Sequence, residues 1–170
     1  MAIQMILCVE TNKKADTDGI YITEVIRHWY NINNQIKLSR VYMNTKTRYN
    51  SKDVRREIDK KSKEFTIGET RVIHCIDTDQ YEKNADHARE LDNISQYCEE
   101  NDYDLIWFCH DVEEVLLGTS ISDSQKVQEA AAFKRKNMIE KIPADDLSCS
   151  EKRAHASNIL SILDKYLSRK

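Results

Sequence analysis

Residues 71–83 read RVIHCIDTDQYEK, and this stretch decides the fold. Arg71 to Ile76 is short, apolar and rich in branched side chains, as a strand covered on both faces would be. It breaks directly into two acids, Asp77 and Asp79. The chain start repeats the pattern: Ile3 to Val9 is a nearly continuous apolar run that ends at Glu10. Buried strands separated by helix-length segments argue for a parallel sheet, and ligands of such sheets gather beyond the carboxyl ends of the strands.

Working outward, Asp16, Thr17 and Asp18 offer N-caps to a helix from about Gly19 to Tyr30, with Ile22, Val25, Ile26 and Trp29 on one face. Ile36 to Met43 alternates apolar and polar residues and predicts a strand at the sheet's edge. Ser51 caps a charged helix to about Phe65, with Val54 and Ile58 as its few inward positions. A third helix, Ala85 to Glu100, turns Ala88, Leu91, Ile94, Tyr97 and Cys98 inward. Leu105 to Cys109 (LIWFC) reads as a fourth strand, followed by a short helix from Val112 to Leu117. Two further helical segments, about Ser124–Lys141 and Ser150–Leu167, are split by Pro143. The order β-α-β-α-β-α-β predicts a Rossmann-like α/β fold, with a four-stranded, mostly parallel sheet flanked by helices. The α/β core spans 1–117, and 118–170 is a helical extension packed on the same domain.

Composition bounds the function. The 170 residues suit one domain, and 32% charged against 40% apolar residues describes a globular protein without a membrane-spanning run. The apolar N-terminus lacks the charged lead-in and cleavage site of a signal peptide, which together with five scattered cysteines predicts a cytoplasmic location. A zinc site would need His74/Cys75 and Cys109/His110 to converge. Neighbouring residues on a strand point to opposite faces, which argues against it. The net charge of −3 hides an asymmetry. Lys46 to Lys63 carries eight basic residues against three acids, whereas Asp77 to Glu114 carries thirteen acids against two bases.

The chemistry resides in the strand-end acids. If the first and third strands are neighbours, Glu10, Asp77 and Asp79 converge at one edge, where they suit Mg²⁺ or Mn²⁺ with its preference for carboxylates, water and phosphate oxygens. The basic stretch, with Lys46, Arg48, Lys52, Arg55 and Arg56, and the loop lysines Lys13 and Lys14 offer contacts to a nucleic-acid backbone.

VETNKKADTDGIYI after the first strand, together with HCIDTDQYEK after the third, resembles a Toprim domain. More narrowly, the layout is similar to the RloB-like and OLD-type Toprim nucleases of bacterial phage-defence loci. The resemblance covers roughly 1–117 and places the family's catalytic and metal-binding acids on Glu10, Asp77 and Asp79. The stretch CHDVEEVLL adds Glu113 as a further metal ligand. Thr11 stands where the family has Gly, and His110-Asp111 where it has Asn-Pro. The resemblance implies a Mg²⁺-dependent nuclease acting on DNA or RNA, with a partner ATPase and a homodimer left open. Two alternatives compete with it. One is a haloacid-dehalogenase-type phosphatase using Asp77 as nucleophile. The other is a non-catalytic Toprim-like module that binds nucleic acid or protein.

Overall fold

The computed structural model describes the whole chain, Met1 to Lys170. The strands are β1 (Ala2–Val9), β2 (Ile36–Tyr42), β3 (Gly68–Asp77), β4 (Asp104–Cys109) and β5 (Ala156–Ser157). The helices are α1 (Thr17–Trp29), α2 (Lys52–Glu64), α3 (Ala85–Glu100), α4 (Val112–Leu117), α5 (Lys126–Arg135) and α6 (Ile159–Leu163). The fold is α/β, with one sheet in the order β2-β1-β3-β4-β5, parallel except for β5. β2 lies at the edge as expected, and β1 pairs with β3, placing Cys8 opposite His74.

The sheet has five strands, not the four expected. β5 consists of Ala156 and Ser157 alone, antiparallel to Phe108 and Cys109, and so is too short to show any periodicity. The long C-terminal helices also need correction. α5 stops at Arg135, single 3₁₀ turns occupy Met138–Lys141 and Ala144–Leu147, and α6 spans only five residues. Pro143, which has no N–H, stands immediately before the second of these turns.

Alternation along β1 builds two core layers. Met5, Leu7 and Val9 face a large cluster with Ile22, Val25, Ile26, Ile73 and Phe108. Ile6 and Cys8 face the other side, with Val54, Ile58, Ile76, Leu91 and Ile94. Residues 118–170 supply Ala130, Phe133, Leu147, Ile159, Leu160 and Leu163 to the large cluster, so the extension shares the main core. The starts of α1 to α4 are each capped by a side chain. Asp16 accepts from Gly19 N, Ser51 from Val54 N, Asn84 from Asp86 N and His87 N, and Asp111 from Glu114 N. No helix is long and apolar enough to cross a membrane.

Candidate functional site

The strand order reverses direction at β1, since the chain goes from β2 on one side to β3 on the other. Glu10 and Asp77 leave the carboxyl ends of these neighbouring strands, and the Glu10 carboxylate accepts a hydrogen bond from the Asp77 N–H. Such a switch point is the expected ligand crevice of an open α/β sheet. Asp77 is fixed from a second side, where its Oδ1 accepts from Val112 N at 3.0 Å, at the start of α4.

Two more acids complete the cluster. Asp18, 7% exposed in the first turn of α1, lies beside the Glu10 backbone N–H and within electrostatic reach of Glu113 and Asp77. Glu113, on α4, is only 1% exposed, and neither of its carboxylate oxygens has a hydrogen-bond partner. Its nearest cation is Lys126 Nζ on α5, at 3.9 Å. Buried carboxylates without partners are costly, and burial together with mutual repulsion resists ionisation here. Burial, more than the repulsion of Asp18 and Asp79, pushes Glu10 up to about 8, even though the Asp77 N–H and Lys46 pull it down. Burial and then Glu113 push Asp18 up to about 7. Asp77 is raised well above the carboxylate range by burial, with Glu10 and Asp18 adding to it, and Glu113 is raised mainly by burial.

Asp79 is placed differently from Asp77. Its backbone is left-handed, with φ of 50°, and its N–H donates to His110 O at 3.0 Å. Its carboxylate is bound by Lys46, whose ammonium also donates to Asp77 O at 2.9 Å and lies 3.6 Å from Glu90. The two acids of the Asp-x-Asp therefore have separate partners: Asp77 faces Glu10 and α4, while Asp79 faces Lys46. Left-handed backbone at Asp79 breaks the simple i, i+2 projection expected past a strand end.

The basic residues divide as well. Lys46 was expected on a nucleic-acid surface, but it is buried against the acids. Arg48 pairs with Asp53 at 3.3 Å. Lys52, Arg55 and Arg56 stand exposed on α2, and Lys13 and Lys14 are exposed in the loop after Glu10. Asn12 shapes that loop by accepting from Lys14 N and Ala15 N. No family model, curated protein or solved structure matches the chain.

The acid that sequence reasoning missed is Asp18. It lies in a run read as helix caps, and the cap is in fact made by Asp16. A second acid two residues after a cap, followed by Gly19, was the available signal. A Cβ at Gly19 would meet the Asp16 carboxylate, so this turn is tightly packed.

The donor set of Glu10, Asp18, Asp77 and Glu113 is entirely carboxylate oxygen, with two cations, Lys46 and Lys126, at its margins. The orphaned oxygens of Glu113 and the resisted ionisation of its neighbours suit a hard divalent cation, which would satisfy the unpaired oxygens and neutralise the repulsion, although no three of these acids present oxygens within 4.8 Å of one another.

Proposed function

We propose that the chain is a Toprim-like, Mg²⁺- or Mn²⁺-dependent nuclease that hydrolyses nucleic-acid phosphodiesters, with its cation held by Glu10, Asp77 and Glu113 and assisted by Asp18. The observation that carries this reading is the buried Glu113 carboxylate, which lies within electrostatic reach of Asp18 and Asp77, whose oxygens accept no hydrogen bond and whose nearest cation, Lys126, stands 3.9 Å away. The strand order and the pairing of β1 with β3 support the Rossmann-like part of the reading.

A bound divalent cation would polarise a phosphate and make its bound water more acidic. The protein's own groups supply the rest. Asp77 is oriented by the Val112 N–H, and Glu10 by the Asp77 N–H, so the two carboxylates cannot rotate freely. Glu10 is raised to about 8 in the metal-free protein, and a bound cation would hold it ionised, so that it suits accepting a proton from the attacking water. Lys46 carries positive charge beside Asp79 and the Asp77 carbonyl, where it limits repulsion between the protein and a phosphate. Lys52, Arg55 and Arg56 on α2 offer an exposed track for the nucleic-acid backbone. Five free cysteines fit a reducing, cytoplasmic setting, and a place in phage defence follows only from the family resemblance.

The test is cleavage of single- and double-stranded DNA and RNA with Mg²⁺ or Mn²⁺. Activity is expected in the wild type and should disappear in Asp77→Ala and Glu113→Gln. Cleavage that persists in both variants would refute the site. Nucleic-acid binding without cleavage in the wild type would leave a non-catalytic module.

A further inference from the structure

We propose a second metal site, of a different chemical class, formed by Glu82, Cys109 and His110 and suited to a borderline-soft divalent ion such as Zn²⁺. It shares no residue with the carboxylate cluster. A carboxylate oxygen of Glu82, the Cys109 sulfur and a ring nitrogen of His110 all lie within 4.8 Å of one another. Sulfur, nitrogen and oxygen together suit zinc, whereas Mg²⁺ does not take thiolate. Three protein ligands leave a fourth tetrahedral position for water.

The surroundings show that the ring is oriented for this. His110 Nε2 faces Glu82, at 2.9 and 3.0 Å from its two oxygens, while Nδ1 lies 3.0 Å from Glu114 Oε2. Glu114 is itself fixed, because the same oxygen accepts the His110 backbone N–H at 2.9 Å. A carboxylate on the far nitrogen is the usual companion of a metal-binding histidine. Here Nδ1 would donate to Glu114, leaving Nε2 free to ligate. The thiol is also held, with the Thr78 hydroxyl 3.4 Å from Cys109 Sγ. Cys109 is buried, but the Glu82 and His110 side chains are 41% and 19% exposed and open the site to solvent. Cys109 packs with Trp107 and Ala156 on its apolar side, and its sulfur stands at the edge of that cluster, where Glu82 and His110 add oxygen and nitrogen donors.

Strand alternation argued against Cys109 and His110 sharing a ligand. It fails at this pair because β4 ends at Cys109 and His110 already belongs to the turn into α4. A metal here would tie the loop after β3, through Glu82, to the end of β4. That junction also holds Asp79, through its N–H to His110 O. Binding would displace the thiol proton and the proton shared by His110 and Glu82, so protons are released as metal enters.

The test uses the full chain, stripped with a chelator under reducing conditions and titrated with Co²⁺, a spectroscopic stand-in for zinc. With millimolar Mg²⁺ present to occupy the carboxylate cluster, one thiolate-ligated Co²⁺ per chain is expected, with a thiolate-to-cobalt charge-transfer absorption that Zn²⁺ abolishes stoichiometrically and Mg²⁺ does not. Cys109→Ser should remove the band while circular dichroism stays unchanged. Glu114→Gln should keep the band but weaken binding about 10- to 100-fold. Glu113→Gln should leave band and affinity intact. Absence of a band in the wild type overturns the proposal. So does a band that survives Cys109→Ser and is lost in Cys149→Ser. A cobalt band in a protein without nuclease activity would uphold this site while refuting the function proposed above.

Discussion

The carboxylate cluster makes stability depend on pH in an unusual direction, and a divalent cation should reverse it. Glu10 ionises near its ordinary 4.5 in the unfolded chain but is held up to about 8 in the folded one, and Asp18 is raised to about 7. Between these values the folded state binds more protons than the unfolded state, so stability falls as pH rises. It is fully present below about pH 4 and is lost as pH passes through about 8. At about 1.4 kcal/mol for every tenfold change in proton affinity, Glu10 alone accounts for a loss on the order of 5 kcal/mol between its ordinary 4.5 and about 8. This is a large share of the roughly 5–15 kcal/mol that holds a domain together. For a chain of this size it lowers Tm by roughly 10 °C. The assay is calorimetry in EDTA from pH 5 to 8.5, repeated in 10 mM Mg²⁺. Tm should fall steadily in EDTA, and Mg²⁺ should restore more of it at pH 8.5 than at pH 5, because the cation binds the ionised acids. Glu10→Gln should flatten the metal-free curve. A Tm independent of pH in EDTA, or a Mg²⁺ effect equal at both ends of the range, would refute the reasoning.

Phe133→Ala should cost about 3–5 kcal/mol in urea denaturation, because Phe133 is fully buried edge-on against Tyr21, 5.1 Å between ring centroids. The transition should stay single, since residues 118–170 share the main core. Lys46→Met should cost about 1 kcal/mol by leaving the Asp77 carbonyl without its donor, Asp79 being open to water, and should steepen the pH dependence by removing the cation that lowers Glu10. Arg55→Glu with Arg56→Glu should weaken nucleic-acid binding across sequences, and should reduce the slope of log K against log salt by about 1 for each phosphate that is no longer neutralised. An unchanged slope would place the nucleic acid elsewhere.

The helices and strands that were legible in the sequence are those whose burial repeats. α3 and α4 begin and end where their periodicity and caps indicate, and the apolar runs of β1 and β3 mark the central strands. The last fifty residues were not legible, because their structure consists of single turns, a two-residue strand and a five-residue helix whose burial is tertiary. The site divides in the same way. Glu10 and Asp77 follow from strand ends and one adjacency. Asp79 has the expected position in sequence, but a left-handed backbone turns it toward Lys46, and a buried lysine cannot be told from an exposed one by charge counting. Asp18 and Glu113 sit on opposite helices. Only the packing of α1 beside α4 shows that they face each other.

What the fold needs and what the cluster does are separable. The starts of α1 and α4 are capped by Asp16 and Asp111, so Asp18 and Glu113 are not required as caps. Glu113 stands between Val112 and Val115, both nearly inaccessible, at a position where an apolar side chain would join the core without cost. The chain instead buries a carboxylate that no donor satisfies, beside three others that raise one another's resistance to ionisation. Lys46 and Lys126 stand at the rim and are shared with Asp79, Glu90 and Asp123, so they do not neutralise the centre. Negative charge concentrated this way lowers stability in the free protein and becomes favourable only with a cation among the oxygens. The same carboxylates that weaken the metal-free fold are the ones placed to hold a cation at the mouth of the β1–β3 crevice.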